Sequence, residues 1–227
     1  MPLEKSKTHL KEVTVNSPSE AEPEHSALAV GEKPRVLFDV DSVIGNLVQV
    51  FISAIEAADI RKLPQDWKPR QFDVATDLGL TKSEEKRMYE MLQRPGVAEI
   101  VHPYPGAVEG VKKVAGIADV FFVTSPMPGS QTWTYDRSRW LIQKFGEVLG
   151  SKWVYTEYKY VVYGDILVDD KPEHCTDFKK AWPGSIALRW LPPGMPVDKR
   201  LINVDSWDMV YMYVEQYAKQ KKLWMRK

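Results

Sequence analysis

From Val120 onward the chain repeats one unit: a short apolar run, a polar residue or pair, then a segment with helical spacing. The runs are Val120-Phe-Phe-Val, Lys152-Trp-Val-Tyr, Asp165-Ile-Leu-Val and Ser185-Ile-Ala-Leu-Arg. Helices are predicted from Asp136 to Phe145, from Pro172 to Ala181 and from Asp205 to Lys219. Arg35-Val-Leu-Phe-Asp-Val supplies an earlier run of the same kind. Strands alternating with helices in this way make a parallel sheet covered on both faces. The fold class is therefore α/β.

The first part of the chain is organised differently. Residues 1–33 are polar, mildly acidic and without periodicity, which predicts a disordered tail with at most a short helix near Ser26–Val30. Val43 to Ile60 carries Ile44, Leu47, Phe51 and Ile55 at helical spacing. Residues 61–72 are basic, proline-broken and aromatic. Thr81-Lys-Ser-Glu84 is a capping-box pattern opening a helix to about Leu92, and Pro105-Gly106 precedes a helix from Ala107 to Ala115. The 85 residues from Asp39 to Thr124 exceed what one helical crossover needs. A small helical cap over 48–100 fills the gap, inserted after the first strand of a core formed by 34–47 and 101–227.

Composition excludes several function classes. Lys+Arg and Asp+Glu both number 31, so no net positive field draws in nucleic acid or an anionic membrane. The single cysteine, Cys175, excludes a disulfide framework and a Cys-based zinc site. The four histidines lack metal-ligand spacing. No apolar run reaches the roughly 20 residues of a membrane span, and the N-terminus has no apolar signal region. These features predict a soluble, cytoplasmic protein.

Three strand ends carry polar residues: Asp39-Val40-Asp41, Thr124-Ser125 and Asp169-Asp170. Ligands of open parallel sheets bind at the carboxyl ends of the strands, so these pieces converge although they are distant in sequence. Four carboxylates together repel and raise one another's pKa. A hard divalent cation removes that conflict, and Mg²⁺ suits a site of few carboxylates, several waters and phosphate oxygens. A carboxylate beside Mg²⁺ is a competent nucleophile toward phosphorus. Hydroxyl, backbone N–H and cationic groups then hold the phosphoryl oxygens. One D-x-D alone carries little information, since Asp41 could simply cap the next helix. A receiver domain uses similar parts, but with its acidic pair first in sequence. A D-x-D glycosyltransferase leaves Thr124 and Asp169-Asp170 unexplained.

With these residues the chain resembles the haloacid dehalogenase superfamily of phosphatases: D-x-D-x-V from Asp39 to Val43, then Thr124, a basic residue, and Asp169-Asp170. Within it the chain resembles the 5'(3')-deoxyribonucleotidase family. The matches are His102-Pro-Tyr-Pro-Gly-Ala-Val-Glu-Gly-Val, Val123-Thr-Ser-Pro, Arg139-Trp140 with Phe145-Gly146, and Gly164-Asp-Ile-Leu-Val-Asp-Asp-Lys-Pro. The resemblance covers roughly Arg35 to Trp190 and implies a Rossmann-like core. It implies that Asp39 is the nucleophile and Asp41 the general acid, then the base. It implies that Mg²⁺ is held by Asp39, the Asp41 carbonyl and Asp170, with Asp169 acting from behind or through water. Thr124 and Ser125 would grip the phosphate. The resemblance also implies two basic phosphate-binding residues: a family lysine before the last strand of the motif matches Lys159, and a second falls on Arg137, a departure that keeps the charge but offers a planar fork.

The resemblance implies dephosphorylation of nucleoside monophosphates, deoxyribonucleotides among them, through an aspartyl phosphate. Alternatives are another small phosphomonoester as substrate, or a non-catalytic nucleotide-binding module. The resemblance also suggests a homodimer. Trp67 and Phe72 are substrate-binding candidates, either stacking on a base or forming the cap's own core. The family's aromatic eight residues after the nucleophile is Leu47 here, which removes base stacking from that position. Cys175 reads as a buried thiol, Trp133 and Trp140 as core or subunit-interface residues, and the basic C-terminus as a complement to the last helix dipole.

Overall fold

Strand β1 (Arg35–Phe38) buries Val36, Leu37 and Phe38 completely. A strand covered on both faces needs an unbroken apolar run rather than alternation, and β1 has one. A computed structural model describes residues 33–64, 67–71 and 73–224. The expected tail, apart from Lys33, lies outside these residues, as does the helix expected near Ser26.

Five further strands follow: β2 (Asp119–Thr124), β3 (Trp153–Tyr155), β4 (Ile166–Asp169), β5 (Ile186–Trp190) and β6 (Ile202–Val204). They form one sheet in the order β3-β2-β1-β4-β5-β6, and every pairing is parallel. The sheet is the expected Rossmann-like α/β architecture. The strand β6 was not foreseen, since Ile202-Asn-Val is too short and too polar at its centre to stand out.

Helices cover both faces. On one, Val36 and Phe38 pack with Val111 and Val114 of α4 (Ala107–Ala115) and with Val210 and Val214 of α7 (Trp207–Trp224). On the other, Leu37 and Leu167 pack with Cys175 and Phe178 of α6 (Pro172–Ala181). Cys175 is indeed a buried thiol. Helix α5 (Trp133–Gly150) is longer than the spacing predicted and bends at Gly146, whose φ of 79° suits glycine. It buries Trp133 and Trp140.

Between β1 and α4 lie α1 (Leu47–Ala57), α2 (Val74–Asp77) and α3 (Lys82–Leu92). They build an apolar cluster of their own around Val50, Ala54, Ile55, Met88 and Leu92. The helix expected from Val43 starts only at Leu47, because Asn46 caps it by accepting from the Gln49 N–H and Ser42 before it has a φ of 63°. The capping box at Thr81 and Glu84 is present as read.

At the sheet end opposite the acidic motifs, buried Asp165 ties three elements together. It accepts from the Arg35 N–H at 2.7 Å, the Tyr217 hydroxyl at 3.1 Å and the Lys221 ammonium at 2.9 Å. Removing it leaves these donors without their acceptor. Asp165→Ala is expected to lower the unfolding free energy by about 3 kcal/mol, read as a lower urea midpoint at unchanged slope. A change under about 0.5 kcal/mol, the range of ordinary surface substitutions, would contradict this role.

Candidate active site

The sheet order makes β1 and β4 neighbours at the point where the chain reverses its direction of winding, which is where open α/β sheets bind ligands. Asp39 follows β1 directly, and its N–H donates to the Val168 carbonyl at 2.9 Å. That bond carries the β1–β4 pairing one residue further and sets Asp39 beside Asp169, the last residue of β4. Asp170 follows. Carboxylate oxygens of Asp39, Asp169 and Asp170 lie within 4.8 Å of one another, and all three residues are buried.

Lys159 balances part of this charge. It sits on a 3₁₀ turn (Lys159–Val161) between β3 and β4, only 1% exposed. Its ammonium donates to Asp39 Oδ1 at 2.7 Å and to the Val123 carbonyl, and lies 3.8 Å from Asp169. Burial opposes the charge on Lys159, but Asp39, Asp169 and Asp41 outweigh burial and raise its pKa. Burial pushes the Asp39 carboxyl up to about 6 against the pull of Lys159, with Asp169 and Asp41 adding to the rise. Burial likewise drives Asp170 well above the usual carboxylate range, reinforced by Asp169 and Asp39. Asp169 behaves differently. Burial raises it too, but the His174 hydrogen bond, Lys159 and the Lys171 N–H together hold it low.

His174 is a site residue that the sequence did not disclose. Its Nδ1 lies 3.0 and 3.1 Å from the two Asp169 oxygens. The available signal was its position in the first turn of α6, where a side chain reaches back to the strand end.

Asp41 stands on a tight loop. Ile44 and Gly45 both donate their N–H to the Val40 carbonyl, and Ser42 donates to the Gly45 carbonyl. A Cβ at Gly45 would fall 2.8 Å from Val101, so the loop closes only with glycine there. Arg137 is fully buried and donates through Nη2 to Asp41 Oδ1 at 2.5 Å. Thr124 closes β2, and its hydroxyl is buried without a hydrogen-bond partner. The Ser125 hydroxyl donates to the Thr156 carbonyl at 3.3 Å.

Above these groups is a cleft of about 670 Å³. Asp39, Asp41, Ser125 and Asp170 line its floor, and Leu47, Phe51, Tyr89, Met127 and Trp133 its walls, with Asp73 and Gln93 as polar exceptions. Phe51 and Tyr89 meet edge to face at 6.5 Å and 87°. Trp67 is placed elsewhere. It packs against the apolar cluster of α1–α3 and is not among the described residues lining the cleft. Phe72 lies outside the described residues. The aromatic wall comes instead from Phe51, one turn beyond Leu47 on α1, and from Tyr89 on α3. Phe51 reads in sequence as one of the apolar positions at helical spacing, and Tyr89 carries no signal of its own.

The fold resembles solved hydrolases of the haloacid dehalogenase superfamily. One from Burkholderia xenovorans aligns with a TM-score of 0.52 at 13% identity, covering 81% of this chain and 97% of that one. Another, from Bacillus subtilis and bound to magnesium, gives 0.52 at 15% identity, covering 80% and 98%. Among sequence relatives, the human mitochondrial 5'(3')-deoxyribonucleotidase is 32% identical over 162 residues, 64% of this chain and 66% of the relative. The human cytosolic type is 27% identical over 145 residues, 60% of this chain and 70% of the relative. The chain thus spans just under two thirds of the mitochondrial relative's length. The model of the family described as 5' nucleotidase, deoxy (pyrimidine), cytosolic type C protein matches residues 33–221. That match extends from ahead of β1 into α7, taking in every acidic and basic group described above, and the chain belongs to this family.

Proposed function

We propose that the protein is a Mg²⁺-dependent phosphatase of nucleoside monophosphates, deoxyribonucleotides among them, working through an aspartyl phosphate. One observation carries the reading: Asp39 lies on the cleft floor, fixed at 2.7 Å by a buried lysine and crowded by two further buried carboxylates. An Asp39 oxygen attacks phosphorus, the bond to the leaving oxygen breaks, and Asp41 donates a proton to that oxygen. Asp41 then takes a proton from the water that cleaves the aspartyl phosphate. Lys159, the free Thr124 hydroxyl and Ser125 are the donors for the phosphoryl oxygens.

The donor set fits a divalent cation. Asp39, Asp169 and Asp170 share one buried lysine, and Asp170 is driven up by burial first and then by the charges of Asp169 and Asp39. All the donors are hard oxygens, which suit Mg²⁺. Asp39, Asp170 and the Asp41 carbonyl would hold it, with Asp169 tied back by His174. When bound, the cation neutralises charge on the phosphoryl group. The apolar walls of Leu47, Phe51, Tyr89 and Met127 offer a nucleobase a stacking surface. The names of the human relatives, 5'(3')-deoxyribonucleotidases, support the same substrate class. A cytoplasmic location is part of this reading. It is supported by the cytosolic-type relative.

Phosphate release is to be measured on ribo- and deoxyribonucleoside monophosphates and on sugar phosphates, with Mg²⁺ and with EDTA. Turnover of nucleotides is expected to vanish with EDTA and to fall by about 10³-fold or more in Asp39→Asn. Turnover confined to the sugar phosphates would discard the substrate class and keep the chemistry. Turnover surviving in Asp39→Asn would discard the mechanism.

Asp170 gives an independent check. A carboxyl whose native pKa is raised costs stability that grows as pH rises past its unfolded value, so at pH 7 the metal-free protein bears such a cost. Asp170→Asn is expected to stabilise the metal-free protein by about 1 kcal/mol or more. It is also expected to abolish the rise in melting temperature that Mg²⁺ gives the unaltered protein. Melting curves with EDTA and with Mg²⁺ read both effects, and a destabilised metal-free variant would refute the charge argument.

A further inference from the structure

Arg137 is a charged side chain with none of its surface exposed, and the catalytic scheme above gives it no role. Three observations define its setting. Its guanidinium carbon lies 5.1 Å from the ring centroids of both Trp133 and Trp140, four residues before it and three after it on α5, so the plane is packed between two indoles. Its Nη2 donates to Asp41 Oδ1. Its Nε and Nη1 are buried with no hydrogen-bond partner. A buried guanidinium left half satisfied is costly to keep. The one hydrogen bond it makes is to Asp41, which lines the cleft, and Arg137 itself is not among the described residues lining that cleft.

We infer that Arg137 is the positioning residue of Asp41: held rigid between Trp133 and Trp140, it takes one carboxylate oxygen of Asp41 and thereby aims the other at the leaving group. This rests on the phosphatase reading. In the step concerned, the Asp39 oxygen bonds to phosphorus and the electron pair of the breaking P–O bond goes to the leaving oxygen. The proton on the outer oxygen of Asp41 passes to that leaving oxygen. Asp41 is left as a carboxylate facing the Arg137 cation, the ion pair found here. Arg137 touches neither phosphorus nor the leaving group, so its effect depends on how badly the leaving group needs a proton.

That dependence supplies the test. A nucleoside alkoxide is strongly basic and leaves only as it is protonated, whereas nitrophenolate leaves without help. The quantity is kcat/KM, which reports steps up to release of the alcohol, measured on a nucleoside monophosphate and on p-nitrophenyl phosphate with Mg²⁺ present. In Arg137→Met, which keeps an unbranched side chain between the indoles, the nucleotide value is expected to fall about 100-fold. The aryl ester is expected to lose at least about tenfold less. Arg137→Lys, with its charge but no fork, is expected to fall between Arg137→Met and the unaltered protein on the nucleotide. In an Asp41→Asn background, Arg137→Met is expected to cost nothing further on the nucleotide. Equal losses on the two esters, or a full further loss in the Asp41→Asn background, would overturn the inference and make Arg137 a phosphate ligand or a purely structural residue. If Arg137→Met melts below the assay temperature, the ratio of the two esters in Arg137→Lys decides alone. An unaltered protein that turns over neither ester nor the sugar phosphates refutes the phosphatase reading and this inference with it, an outcome distinct from equal losses in an active enzyme.

Discussion

The pairing of Phe38 with Val168 places the next residues of β1 and β4, Asp39 and Asp169, side by side, and Asp170 follows at once. The register of two central strands thus packs three carboxylates into a space where water is scarce. Two consequences follow from electrostatics. A cation must be buried with them, and Lys159 is brought 120 residues along the chain to serve. One lysine also cannot balance three acids, so the carboxylates divide. Asp169, with Lys159, His174 and a backbone N–H around it, is held as the anion. Asp39 and Asp170 are pushed up, by burial first and then by the neighbouring carboxylates. A carboxylate whose charge is poorly compensated is a good place for a divalent cation and a poor place for anything else.

The remaining architecture keeps that cluster in register. Both central strands are apolar on both faces, and the Asp165 network locks their far ends to α7. A slip of one residue would exchange every side chain between faces and separate Asp39 from Asp169. The covered sheet is therefore what makes the charge cluster reproducible, and the cluster in turn sits at the one sheet end where α1–α3 can wall off a cleft.

What the sequence disclosed follows the range of the forces involved. The strands of the centre, the capping box at Thr81 and the strand-end acids are local patterns, and all were legible. So was α6, through Pro172 at its start. Strand β6 was too short to register. The role of His174 is a contact over five residues that any helix start could make. The sequence left Trp67 and Phe72 open between a base-stacking role and the core of the α1–α3 region, because a basic, aromatic, proline-broken loop is compatible with either. In the structure Trp67 packs with the cluster of α1–α3, and Phe51, which was one of the apolar positions at helical spacing, lines the cleft with Tyr89. Spacing along one helix tells which residues share a face. It does not tell whether that face meets a core or a cavity.

Asp41 adds a further constraint, because it stands where the chain leaves the core for α1–α3. The outgoing and returning segments run side by side there: Asn46 donates its N–H to the His102 carbonyl, and Tyr104 to the Ile44 carbonyl. Helix α5 holds both, the first through Arg137 and Asp41, the second through the Trp140 indole N–H donating to the Val101 carbonyl at 2.7 Å. The wall of the cleft and the Asp41 carboxylate on its floor thus hang from the same pair of linkers. The hold of α5 fixes the Asp41 carboxylate and the returning segment independently of the packing within α1–α3.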